Sequence, residues 1–185
     1  WGEKLKTKYY SWLNNPTGIC GTSGDVLYVF VGENPNTGST LELDAIVNTG
    51  AKGKRTPLKK GLNIIPITGK DFTFFIVYTA DTRTTKVLAD FDSIPIHIEG
   101  GYVNCYWDKL RHNDDDWVDI TRNHAKHKYM FIRGEIIMLF MNRSVLISGD
   151  VCPNTITDAI GWWDDMIMWQ QDIMGLEDVR PSRFN

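Results

Sequence analysis

Apolar and polar positions alternate with a period of two over much of this chain, and that pattern predicts strands. Residues 25–31, Asp25-Val26-Leu27-Tyr28-Val29-Phe30-Val31, are β-branched and aromatic, and Gly32-Glu33-Asn34-Pro35-Asn36 closes them. Residues 41–47 alternate apolar with polar, the mark of a half-buried strand. Residues 62–67 include Pro66, which places them at a sheet edge. Residues 72–78 are nearly all apolar or aromatic and predict a central strand buried on both faces. Residues 94–98 make a short strand that ends at Gly100-Gly101. Residues 129–132 and 135–140 flank Arg133-Gly134 and predict a hairpin. Between these runs, residues 14–18 and 21–24 are dense in turn formers. Residues 48–60 carry glycines and five Lys or Arg and are expected to be an exposed loop. The first dozen residues mix Lys with Tyr9, Tyr10 and Trp12, which fits a short helix or an edge segment. Six or more short strands at roughly even spacing predict a β-sandwich or a barrel.

The period then changes. After Gly149-Asp150, Thr155 caps a run from Ile156 to Met174 in which apolar residues recur at helical spacing, and Gly175 suits the left-handed position past its end. One stripe is Ile156, Ile160, Trp163, Ile167 and Met174; a second is Trp162, Met166, Trp169 and Ile173. Together they cover more than half the cylinder, so one sheet face cannot bury both. The expectation is a mostly β protein, a jelly-roll-like β-sandwich over residues 1–150, with a long C-terminal helix in a segment 151–185, α+β overall. The helix should lie against something further C-terminal, with Trp162, Trp163 and Trp169 as contacts. The start on Trp1 and the end at Arg183-Phe184-Asn185, without a structural stop, predict a piece of a longer chain.

Composition narrows the function classes. The chain has 185 residues, long enough for a real core. Its 20 basic and 23 acidic residues leave a net charge of −3, which argues against a nucleic-acid partner. No window reaches the roughly 18 apolar residues of a membrane span. No apolar core follows the N-terminal lysines, so there is no signal peptide in the chain. Cys20, Cys105 and Cys152 are an odd number without a C-x-x-C, which leaves three small buried residues or one disulfide and one thiol. Aromatic residues make up 12%, with seven Trp.

Candidate chemistry is sparse. His124-Ala125-Lys126-His127 has H-x-x-H spacing without the glutamate of H-E-x-x-H, and reads as an exposed loop pair or a weak metal site. His97 points away from its Ile neighbours on a strand and should face solvent or a hydrogen bond. Asp114-Asp115-Asp116 lacks the alternation and glycine of a calcium loop and reads as a solvated loop. Asp164 and Asp165 diverge by about 100° on a helix, so they do not converge on one substrate atom. No phosphate-cradling or nucleophile-elbow motif is present. The residues alone therefore contain no catalytic or metal constellation. Trp107 and Trp117 bracket the acidic stretch. They fit either a sugar platform, ring faces packing on C–H groups beside polar side chains, or plugs at the end of a sandwich.

Several stretches, in order along the chain, resemble one family. Asn15-Pro16-Thr17-Gly18-Ile19 followed by Gly24-Asp25-Val26 resembles its "NPTGI…G(D/E)" opening. Lys60-Gly61-Leu62-Asn63-Ile64 and Phe75-Ile76-Val77-Tyr78 resemble its "L-x-x-G-x-N" and "IxY" segments. Residues 96–104, Ile96-His97-Ile98-Glu99-Gly100-Gly101-Tyr102-Val103-Asn104, resemble its "VxIHIxGGxVNGYF" strand and turn. Gly161-Trp162-Trp163-Asp164, residues 171–176 and residues 180–185 resemble its helix and following turn. The family is the enhancin-like zinc metallopeptidases, peptidase family M-sixty, which act on mucin-type glycoproteins. The resemblance implies an extracellular or cell-surface protein with a host or mucin-type glycoprotein as partner. It implies zinc in the full-length family member. The family's H-E-x-x-H and downstream acidic ligand are absent here, so no catalytic or metal residue carries over, and no cofactor is expected in this chain.

Three readings follow. The chain is the N-terminal β part of such a peptidase, inactive as it stands. Alternatively, it is a non-catalytic carbohydrate-binding or adhesion module using Trp107 and Trp117. The third reading is a structural spacer that associates through its apolar helix.

Overall fold

The structure is a computed structural model. It describes residues 15–36, 38–47, 52–79, 92–104, 106–144 and 155–175. The first fourteen residues, Cys105, Cys152 and the stretch at 180–185 lie outside the described residues. The chain is mostly β with one long C-terminal helix, α+β overall, as the hydrophobic pattern predicts. It forms two compact units, one built on residues 1–17, 21–47 and 51–101, the other on 18–20, 48–50 and 102–185.

The first unit is a two-sheet β-sandwich. One sheet has the order β4-β3-β6-β1, from β1 (Asn15–Gly21), β3 (Thr40–Val47), β4 (Lys52–Pro57) and β6 (Phe72–Thr79). The other has the order β5-β2-β7, from β2 (Val26–Val31), β5 (Gly61–Pro66) and β7 (Ile96–Glu99). Residues 73–77 of β6 are all buried, which is why that run shows no alternation. On β2 the alternation is clean: Leu27, Val29 and Val31 point into the core, while Tyr28 and Phe30 point out. Each fully buried aliphatic or aromatic side chain stabilises the fold by about 1.5–3 kcal/mol. β5 is an edge strand, as Pro66 requires.

Two expectations fail in this unit. Asn15-Pro16-Thr17-Gly18 does not make a turn but begins β1, where Thr17 Oγ1 donates to the Phe74 carbonyl at 2.7 Å. The basic stretch at residues 48–60 is not wholly a loop, since residues 52–57 form the edge strand β4. Ion pairing explains the second case. Arg55 sits opposite Asp44 in register and reaches Asp44 at 3.4 Å and Glu42 at 3.6 Å. Gly53 meets a bulge in β3 between Asp44 and Ile46; a Cβ there would fall 2.3 Å from the Ala45 carbonyl. Lysines on an exposed edge also oppose pairing with another chain.

In the second unit, β8 (Tyr102–Val103) pairs with Ile19 and Cys20 of β1. A second sheet has the order β11-β10-β9, from β9 (Tyr106–Asp108), β10 (Tyr129–Arg133) and β11 (Met138–Asn142). β9 and β10 run parallel, so the chain must cross over between them. It does so through α1 (Asp114–Asp119) and a π-helical turn, Ile120–His124. The acidic stretch is therefore a helix and not a loop. Three aspartates in its first turn suit the helix dipole, and Asn113 with Asp116 forms a reciprocal capping box. The predicted hairpin is β10–β11, but its connection runs from Gly134 to Ile137, longer than the two residues expected. The long helix α2 (Ile156–Ile173) begins at the Thr155 cap and ends before Gly175 at φ +66°, as read from the sequence. Cys20 is fully buried.

Candidate functional site

The second unit holds the residues singled out in the sequence, except His97, which lies exposed on β7 of the first. Trp107 on β9, Met130 and Ile132 on β10 and Ile160 on α2 form one buried cluster, with Trp117, Ile120 and Ile156 packed on it. Trp107 has no exposed surface, and its indole Nε1 donates to the Asn113 carbonyl at 3.1 Å. Trp117 packs edge-on against it at 6.3 Å. A ring without exposed area offers no face to a sugar, so Trp107 is a plug of this core, while Trp117 is half-buried against it.

The metal reading of the histidines meets a similar obstacle. His127 is 2% exposed, while His124 is out in solvent, 3.1 Å from Asp119. One imidazole is inside and the other outside, so the pair cannot close on one ion. Two of the three aspartates are committed as well. Asp114 accepts from the Thr157 amide and hydroxyl, at 3.1 and 3.0 Å, and Asp116 completes its capping box. Among the described residues no three His, Cys, Asp or Glu side chains group as metal ligands. Zinc, the metal the resemblance implies, therefore does not fit the donors described here.

Asp164 and Asp165 diverge as their spacing requires, and Asp164 takes a role the sequence does not announce. It is 4% exposed and accepts three backbone amides, from Glu135 at 2.8 Å, Ile136 at 3.0 Å and Ile137 at 3.1 Å. Lys109 lies 3.7 Å away, a partial counter-charge. Gly134 makes room for the carboxylate, because a Cβ there would sit 2.5 Å from it. This carboxylate nest shapes the longer β10–β11 connection and fastens it to α2. Nearby, Asp108 is 1% exposed, accepts from the Leu110 amide and the Tyr106 hydroxyl, and lies 3.7 Å from Arg133. Burial pushes the Tyr106 phenol above its ordinary value of 10.0, against a lowering hydrogen bond with Arg133. These groups hold structure together.

What α2 presents outward is different. Ile156 and Ile160 face the core, but Trp162 is 59% exposed, Trp163 43% and Trp169 65%. Ile173 and Met174, also exposed, continue the same apolar stripes. Soluble domains seldom expose a contiguous patch of this kind unless it meets a partner. The double stripe in the sequence thus corresponds to a helix with Ile156 and Ile160 packed, Met166 and Ile167 half-buried and three tryptophans exposed. No described helix is long and apolar enough to cross a membrane.

Known proteins share this architecture. No protein-family model matches the sequence, and comparison with curated proteins finds no match. Solved structures do match. A metallopeptidase from Bacteroides thetaiotaomicron is 34% identical over 100% of the chain, with a TM-score of 0.79, and the chain covers 31% of it. A metallopeptidase in complex with Tn antigen is also 34% identical over 100% of the chain at TM-score 0.79, with 34% of its length covered. The M60 catalytic domain of Clostridium perfringens ZmpC, in complex with the sialyl T antigen, shares the fold at 15% identity and TM-score 0.69, over 91% of this chain and 37% of its own. The chain thus spans about a third of the length of these structures. With a third of its residues identical in two metallopeptidases along its entire length, the chain belongs to the enhancin-like M60 metallopeptidase family.

Proposed function

We propose that the chain is the β-sandwich portion, with the adjoining helix, of a secreted or surface zinc metallopeptidase that acts on mucin-type glycoproteins. One observation carries the reading: the 34% identity that runs over the full chain to a metallopeptidase three times its length. Relatives solved with Tn antigen and sialyl T antigen support mucin-type glycans as the substrate class. On this reading the 185 residues are inactive alone and contribute framework. The zinc donors and the catalytic base belong to the part of the protein beyond residues 151–185, and that part packs on Trp162, Trp163 and Trp169. The exposure of those three rings supports the packing.

Metal analysis and a cleavage assay test this together. The 185-residue chain should bind zinc substoichiometrically and leave a mucin-type glycopeptide intact. A chain extended to the length of its relatives should hold stoichiometric zinc and cut the glycopeptide. Stoichiometric zinc on the short chain, lost on mutation of His124 and His127, would sink the reading. An extended chain that binds the glycopeptide without cutting it would favour the carbohydrate-binding or adhesion module.

A further inference from the structure

The outer face of the β5-β2-β7 sheet carries a compact mixed patch that the peptidase reading does not use. Alternation along β2 leaves Tyr28 41% and Phe30 44% exposed. Register sets Tyr28 between Ile64 of β5 and Glu99 of β7, and Phe30 between Leu62 and His97. Leu62 and Ile64 are 52% and 61% exposed. Two rows of three side chains therefore cross the sheet, with an aliphatic border, an aromatic middle and a polar border. In the polar border His97 Nε2 lies 2.6 Å from Glu99 Oε1, and the His97 ring is tilted against Phe30 at 6.1 Å.

We infer that this face is a binding platform for a pyranoside. Size is the first reason. Residues two apart on a strand are separated by about 6.6 Å and adjacent strands by about 4.8 Å. The six side chains thus cover about 7 Å by about 10 Å. That is the footprint of one or two sugar rings, and far below the roughly 800 Å² per partner of a stable protein interface. Chemistry is the second reason. The negative faces of Tyr28 and Phe30 attract the weakly positive C–H groups on the flat side of a pyranose. Glu99 accepts from hydroxyls at the ring's rim, and His97 and the Tyr28 hydroxyl donate or accept there. A wholly apolar partner would desolvate the His97–Glu99 pair without replacing its hydrogen bonds with water. A ligand polar all round would leave the rings and Leu62 uncovered. A sugar, apolar on its face and polar at its rim, satisfies both. The platform lies wholly within the first unit, so it stands or falls independently of the peptidase reading.

The test is an NMR titration of the 185-residue chain with methyl β-galactopyranoside and, separately, methyl β-glucopyranoside. Saturable shifts confined to β2, β5 and β7 are expected, with a dissociation constant on the order of 1 mM for at least one probe. Phe30→Ala should weaken binding about tenfold, and Glu99→Gln should also weaken it, while Trp169→Ala should leave it unchanged. These are surface positions, and circular dichroism will verify that each variant folds. Absence of saturable shifts with both sugars would overturn the proposal, as would binding indifferent to Phe30→Ala. A concentration-dependent dimer in sedimentation that Phe30→Ala abolishes would assign the face to a second copy of the chain instead.

Discussion

At the scale of single residues, composition and position part company. Seven tryptophans can serve a core, a sugar surface or an interface, and only location separates these uses. Trp107 has no exposed area and fills the centre of its unit, yet it stands beside the same polar residues that made it look like a surface platform. A burial-driven role makes a clear forecast. Trp107→Ala should destabilise the fold by about 3–5 kcal/mol in denaturant melts. Trp117→Ala, at a half-buried ring, should cost distinctly less. A variant of Trp107 with wild-type stability would refute the core assignment. The outward aromatics on β2 show the converse. Tyr28 and Phe30 look like ordinary strand residues, and their exposure follows only from the direction in which β2 turns its other face to the core.

At the scale of elements, legibility tracked how much of each element's stability is local. The strands at residues 26–31 and 72–79 and the helix α2 carry their own period, so the hydrophobic pattern found them. β4 does not, because its polar and basic residues show no apolar period, and Arg55 finds Glu42 and Asp44 only once β4 pairs with β3. α1 carries a capping signal in Asn113-x-x-Asp116, but three adjacent aspartates have the composition of a solvated loop. The β10–β11 connection departs from a two-residue turn because a residue some thirty positions away shapes it. Asp164 accepts amides 135–137, and its loss would leave three part-buried donors without that partner. Asp164→Ala should therefore cost about 3 kcal/mol, whereas Asp165→Ala on the exposed face should stay within about 0.5 kcal/mol. Hydrogen exchange is the check. Amides 135–137 should lose protection in the first variant and keep it in the second. Equal effects from the two would show that the nest does not hold the loop.

At the scale of the whole molecule, the apolar face of α2 is the dominant unbalanced feature. Its exposed tryptophans should be quenched readily by acrylamide in the 185-residue chain. In a chain extended to its relatives' length they should be protected. Likewise, Trp162→Arg should be tolerated in the short chain, within about 0.5 kcal/mol, and destabilise the long one. Equal quenching in both would remove the case for a covering partner on this helix. The sequence by itself determined the β-rich class, the long capped helix, the excess of apolar surface along it and, through ordered motifs, the family. Those properties depend on local period, capping chemistry and residue identity, which a single chain displays directly. Only the tertiary structure decided that Trp107 is core, that His124 and His127 part company, that Asp164 anchors a loop and that β2 bares two rings. Each of these depends on which distant residues meet, and that is set by the joint burial of several elements, which no local pattern records.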